Sequence, residues 1–282
     1  MLKKLIIASA LIVSSWASAH PSVVLVPGFF NSFAPEYFSE DIIKTFEQKG
    51  FKTYVVEGLD PIGTIEENGE KLIPLLKKIT QTEGEEPQIV AHSAGGFYSL
   101  YAINKGQLKI KNLITVSTPY EGLDFIQAWR DKSSLFSELM NFCKLEGLRQ
   151  LTPPYVAEFM KKVRVPEQLQ IFTFGGWQPR SLDIWNAKNI SGVLRITDHF
   201  IPGDSDGIVS FKSSLGIRNL LTVSNKSAKM YVDPNYLIPL EHWEQVLDYR
   251  NFVLLGTRNI GVIRDRQIQF YGGLADLLTK NL

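Results

Sequence analysis

One cysteine, Cys143, stands in a chain of 282 residues, and a lone thiol excludes every intramolecular disulfide. Stability must then come from a packed core, which a 44% hydrophobic composition can supply at this length. Cys143 lies in Glu-Leu-Met-Asn-Phe-Cys-Lys-Leu and reads as buried apolar filler rather than as a nucleophile. An excess of charge is also missing, with 30 Lys and Arg against 29 Asp and Glu. Near-neutrality gives no electrostatic footing for nucleic acid or for a strongly anionic membrane. There is no internal repeat, no low-complexity tract and no apolar run long enough to span a bilayer. Histidine is scarce as well, so any general-base histidine is one of His20, His92, His199 and His242.

What is present begins with a removable address. Lys3 and Lys4 form a basic start, Leu5–Val13 an apolar run, and Ala17-Ser18-Ala19 a small-residue cleavage site, the pattern of a secretory signal peptide over residues 1–19. Its loss leaves 263 residues from His20 onward, with 28 basic and 29 acidic side chains, destined for the periplasm or the exterior. A new amino terminus at His20 could chelate copper through its amine and imidazole. Pro21 follows it and no second suitably placed histidine is evident, so it reads as an ordinary processed terminus.

Apolar runs of strand type alternate with helical spacing through the first half. Ser22–Val26, Phe51–Val56, Gln88–Ala91 and Leu113–Ser117 read as strands, with helices expected over Glu36–Lys49 and from a Thr64/Glu67 capping box onward. Pro74 is expected to kink or split the second helix. Such alternation argues an α/β fold with a mostly parallel sheet covered on both faces. Residues 123–166 break the rhythm. They are helix-like, rich in large apolar residues such as Phe125, Trp129, Phe136 and Phe142, and interrupted at Pro153-Pro154. They read as a helical cap inserted into a domain spanning 20–282, either mobile over an active site or fixed as extra core. Strand signals return at Leu169–Phe174 and Val193–Thr197.

Gln88 to Gly96 reads Gln-Ile-Val-Ala-His-Ser-Ala-Gly-Gly, a strand running into a small-residue turn with Ser93 at its apex and a helix beyond. That is a nucleophile elbow with Ala91 in place of the usual first glycine. A serine hydroxyl needs a histidine to take its proton and an acid to orient that histidine, in chain order Ser, Asp or Glu, His. His20 is the mature terminus, His92 lies inside the elbow and His199 precedes the best acid, which leaves His242. Among Asp198, Asp204, Asp206 and Asp233, Asp206 is favoured because Gly-Asp-Ser-Asp-Gly-Ile-Val-Ser sets it in a turn anchored by an apolar step. Each alone reads as an ordinary turn or surface residue; the order makes the set. Backbone N–H donors for the oxyanion are expected from Ala94, after the nucleophile, and Phe29, in the loop after the first core strand.

These motifs resemble the secreted bacterial triacylglycerol lipases of the α/β-hydrolase superfamily. The matching stretches are Val-Pro-Gly-Phe-Phe at 26–30, Ala-His-Ser-Ala-Gly-Gly at 91–96, Ser-Thr-Pro-Tyr-Glu-Gly at 117–122, Asp-Gly-Ile-Val at 206–209 and Glu-His-Trp-Glu at 241–244. Pro27 stands where the family carries His, and Tyr120-Glu121 where it carries His-Arg. The resemblance implies the α/β-hydrolase fold, carboxylic ester hydrolysis through Ser93, Asp206 and His242, and a helical lid over an apolar acyl site. It implies no cofactor for the chemistry, an ester substrate and transient contact with a lipid interface. It also raises a structural calcium, for which Glu244 matches one ligand and Asp183 is the partner considered. A thioesterase, acyltransferase or amidase could use the same residues, since the acceptor of the acyl group is not written in them. A binding protein on an inactive hydrolase scaffold would have lost a triad member, and none is lost. Oligomeric state is not legible.

Overall fold

The computed structural model describes residues 21–31, 36–126, 146–177, 194, 197–216, 229–248, 250 and 260–282, with only the backbone for 229–237. The elements are β1 (Ser22–Val26), α1 (Glu40–Gln48), β2 (Lys52–Val55), α2 (Ile65–Glu83), β3 (Gln88–His92), α3 (Gly95–Gly106), β4 (Asn112–Val116), α4 (Glu146–Arg149), α5 (Pro153–Lys162), β5 (Gln170–Gly176), α6 (Phe211–Leu215), β6 (Lys229–Ile238) and α7 (Ile260–Lys280). The strands form one sheet in the order β2-β1-β3-β4-β5-β6, and every neighbouring pair is parallel.

Side-chain alternation divides the interior into two cores. Val24, Val26, Ile89, Ala91, Leu113 and Ile171 face one layer, filled by Leu72, Leu76 and Ile79 of α2, Phe97 and Leu100 of α3, and Val156, Phe159 and Met160 of α5. Val23, Leu25, Val90, Ile114, Phe172 and Phe174 face the other, against Ile42 and Phe46 of α1 and Tyr271, Leu274 and Leu278 of α7. A sheet covered on both faces has continuously apolar strands, which is why β1 and β3 are buried at every position.

Several expectations change in detail. The first helix starts at Glu40, capped by Ser39, so Tyr37 and Phe38 are free to enter the body of the protein. The Thr64/Glu67 capping box forms, and α2 runs unbroken through Pro74 to a left-handed Gly84. Burial of Leu72, Leu76 and Ile79 at about 1.5–3 kcal/mol each outweighs a cost of about 3 kcal/mol for an interior proline. Leu194 and Thr197 are helical rather than part of a strand, and the other residues of 193–197 are outside the described set. The strand that completes the sheet is instead β6, pairing with β5 across an irregularity between Thr173 and Gly175.

Of the cap segment 123–166, residues 127–145, with Cys143, are outside the described set. The remainder is built into the body: Leu123, Phe125, Ile126, Leu151, Val156, Phe159 and Met160 belong to the first core. Pro153 and Pro154 open α5 at its first turn, where missing N–H groups cost nothing. Gln150 fastens this layer to α2, accepting from Ile65 N at 2.6 Å and donating to Glu66 at 2.7 Å, while Tyr155 Oη donates to the same carboxylate at 2.8 Å.

Candidate active site

The chain leaves β1 in opposite directions, toward β2 on one side and β3 on the other, which opens a crevice at the carboxyl ends of β1 and β3. Ser93 stands there, directly after β3, with φ of 55°. A left-handed conformation costs a side-chain-bearing residue about 1–2 kcal/mol, so the turn must be held from outside. Ser93 N donates to Val116 O at 2.8 Å and Thr118 Oγ1 donates to Ser93 O at 2.7 Å. Two glycines permit the approach of the flanking segments. A Cβ at Gly28 would lie 2.6 Å from Ser93 Cβ, and one at Gly95 would lie 2.6 Å from Val26 O.

His242, in the turn after β6, places Nε2 3.0 Å from Ser93 Oγ and Nδ1 2.8 Å from Asp206 Oδ2. Its backbone N–H donates to Asp206 O at 2.9 Å, so main chain as well as side chain joins the two loops. The sequence-selected Ser93, Asp206 and His242 thus form one hydrogen-bonded chain, all three buried. The alternatives are elsewhere: His199 and Asp204 are exposed, and His20 is outside the described residues. Asp198 instead accepts from Ser205 Oγ at 2.5 Å and braces the turn that carries Asp206.

Asp206 is wholly buried, and its Oδ1 accepts from the amides of Ile208 at 3.0 Å and Val209 at 2.8 Å. Burial by itself would raise its pKa, but the His242 ring and these amides outweigh burial and hold it below the ordinary carboxylate value. Room for the acid loop comes from Gly176 at the end of β5, where a Cβ would lie 2.7 Å from Asp206 Cβ.

The amides of Phe29 and Ala94 flank the serine on the β1 and β3 sides, and neither donates to an acceptor among the described residues. Two unpaired amides, Ala94 at a helix start and Phe29 in the loop after β1, are suited to developing negative charge. The calcium expectation fares differently. Glu244 is buried and its Oε2 accepts from Glu241 N at 3.2 Å, closing its own turn. No group of three or more His, Cys, Asp or Glu side chains placed to hold a metal ion occurs among the described residues, and Asp183 is outside them.

Sequence reading set His92 aside because it lies inside the elbow. It is fully buried and packs on His242, with ring centroids 4.5 Å apart and Nδ1 2.8 Å from Tyr37 Oη. Burial, then the neighbouring His242, pushes its pKa well below the ordinary 6.5, so it remains neutral in the folded protein. The unfolded chain takes up that proton below pH about 6.5 and the folded chain does not. Stability should therefore fall as pH drops through that value, by at most about 1.4 kcal/mol per pH unit from this group. Denaturant melts of wild type and His92→Phe between pH 7 and 5 check this: the wild type should lose stability more steeply than the variant.

The six parallel strands, the elbow after β3 and the acid and histidine loops after β5 and β6 define an α/β-hydrolase fold. Solved structures agree. A metagenomic carboxyl esterase superposes with a TM-score of 0.71 at 16% identity, over 94% of this chain and 77% of its own. Lipase 1 from Pelosinus fermentans gives 0.60 at 14% identity, over 92% and 98%. The Bacillus licheniformis lipase BlEst2 in its propeptide form gives 0.60 at 19% identity over 86% of this chain, which spans about half, 51%, of that longer chain. Identities this low establish the fold and assign no residue. No protein-family model and no curated protein matches the sequence.

Proposed function

We propose that this protein is a serine hydrolase of carboxylic esters, a secreted lipase or esterase acting on acylglycerols or related lipid esters. The observation that carries the reading is the Ser93 Oγ to His242 Nε2 distance of 3.0 Å with Asp206 2.8 Å behind the same ring. With Asp206 ionised, His242 Nδ1–H donates to it and leaves the Nε2 lone pair to accept the serine proton. Ser93 Oγ then attacks the ester carbonyl as that proton moves to Nε2. Phe29 N–H and Ala94 N–H stabilise the resulting oxyanion. Collapse expels the alcohol, which takes the proton from Nε2 and leaves an acyl-Ser93; water, deprotonated by His242, completes the cycle. The acyl group and its lipid origin rest on the resemblance of the five motifs. Export rests on the leader-like residues 1–19.

A nitrophenyl ester series from short to long acyl chains, run below and above the solubility limit of each ester, tests the reading. Hydrolysis should be accompanied by stoichiometric phosphonylation of Ser93 by an alkyl phosphonate, and a rise in rate on emulsified long chains would mark a lipase. Turnover confined to thioesters or amides, or acyl transfer to an added alcohol in preference to water, would reassign the acceptor. No turnover and no labelled serine would overturn the proposal.

A further inference from the structure

Two buried polar atoms behind the candidate site have no hydrogen-bond partner among the described residues: His92 Nε2 and Gln245 Oε1. Both side chains are inaccessible to solvent, and leaving a buried polar atom unpaired is costly, so their joint occurrence needs a reason. The rest of each group is fully engaged. Gln245 Nε2 donates to Asp206 Oδ2 at 2.9 Å, the same oxygen that receives His242 Nδ1–H, and lies 3.3 Å from Leu240 O. Space for that amide exists because residue 176 is glycine; a Cβ there would lie 2.0 Å from Gln245 Nε2. On the other side, His92 Nδ1 pairs with Tyr37 Oη at 2.8 Å.

Proton assignment follows from these partners. Burial raises the Tyr37 phenol far above its ordinary value, so it stays protonated, and its oxygen faces the Gly28 amide. The phenol then donates to His92 Nδ1, which puts the single proton of the neutral imidazole on Nε2. The groups in reach of that N–H are the Gln245 side chain and the His242 backbone. A donor on His92 and an acceptor on Gln245 complement each other, and a bond between them would fix which end of the carboxamide faces Asp206.

We infer that Tyr37, His92 and Gln245 form a second polar chain that positions the Asp206–His242 pair, with Gln245 as its last link. This rests on the hydrolase reading above. Without the Gln245 donor, Asp206 Oδ2 loses one of its two partners and the carboxylate is free to tilt about its two backbone anchors. Without the His92 ring, His242 loses the surface it packs on, at 4.5 Å between centroids, and Gln245 loses the group that orients it. The ionisable groups around His242 are Asp206 on the acid loop, His92 at the end of β3, Tyr37 behind it, and Glu241 and Glu244 on its own turn.

The test compares wild type with Gln245→Met, which keeps length and volume, His92→Phe, which keeps a ring, and the double variant. Each single change should lower kcat roughly 10-fold with KM within about twofold, because one charge-assisted hydrogen bond is lost from the pair and none from the substrate. The double variant should be no worse than the more damaged single variant, since the residues act in series. A substrate-free readout accompanies this: the low-field proton resonance of His242 Nδ1–H should move or broaden in Gln245→Met. Circular dichroism identifies a variant that fails to fold, in which case Gln245→Glu, protonated and donating at low pH, replaces Gln245→Met and should recover the wild-type resonance as pH falls. Multiplicative losses in the double variant, or kcat within twofold and an unmoved resonance in the single ones, overturn the second chain. A wild-type protein silent on every ester overturns the reaction instead, and the resonance still decides the positioning role.

Discussion

Ser93→Ala should abolish ester hydrolysis, with a loss on the order of 10³-fold or more, and leave the melting temperature nearly unchanged. The variant removes one oxygen and no structural hydrogen bond apart from the 3.0 Å contact with His242, because the turn is held by Ser93 N, Ser93 O and the glycine approaches around it. His242→Ala should cost nearly as much, since an unassisted serine is barely ionised near neutral pH. The two losses should not multiply: the double variant should resemble either single one, as a unit that fails together. More than a tenth of the wild-type rate in His242→Ala would remove this ring from the chemistry. His199, exposed and ahead of the acid loop in the chain, would be the next residue to replace, although no contact between it and Ser93 occurs among those described.

Local signals carried the sequence reading a long way at the site and less far in the frame around it. The elbow is a contiguous motif, and its strand, turn and helix are each dictated by neighbours in the chain, so Gln88–His92 and Gly95–Gly106 match the pattern read from residues alone. Asp206 and His242 were separable from their competitors because chain order and turn chemistry are both readable without the fold. β6 was missed because Asp-Pro-Asn interrupts it, and those residues form the register irregularity between Val232 and Leu237, with paired segments on either side. At the two described residues of Val193–Thr197 the expected strand gives way to helix: Thr197 Oγ1 donates to Leu194 O at 3.0 Å and to Gly207 O, which ties this turn to the acid loop. Tyr37 was absorbed into an overlong helix, and its partner is 55 residues away. Gln245 did leave a trace, three residues after His242, but nothing local reveals that its amide meets a carboxylate 39 residues back. Long-range packing, rather than weak local preference, hid these residues.

The sharper test of the site is the contrast between two carboxylates two residues apart. Asp206→Asn should lower kcat by roughly 10³–10⁴-fold, whereas Asp204→Asn should stay within about twofold of wild type. Asp206 accepts from four donors: the amides of Ile208 and Val209 on Oδ1, and His242 Nδ1 and Gln245 Nε2 on Oδ2. An asparagine has one accepting oxygen. Whichever way its carboxamide turns, its NH₂ group meets either two backbone N–H groups or the imidazole and the glutamine. In the first case the anion that orients and stabilises His242 is gone; in the second the imidazole must also adopt the wrong tautomer. Stability should fall as well, by about 1.5–3 kcal/mol for each charge-assisted bond lost. The pH dependence has a definite sign. Asp206 is held below its ordinary 3.8 in the folded protein, so its contribution is present above that value and is lost as pH falls through the lower, folded one. The melting difference between Asp206→Asn and wild type should therefore be full at pH 7 and narrow below pH 4. Asp204 is exposed, and its described contact is made by its main-chain carbonyl, accepting from Phe211 N at 2.8 Å, which asparagine keeps. Rates for both variants are to be compared at a temperature below the Asp206→Asn melt. A larger loss in Asp204→Asn than in Asp206→Asn would move the orienting acid to the exposed side of the loop and break the chain from Asp206 to Ser93.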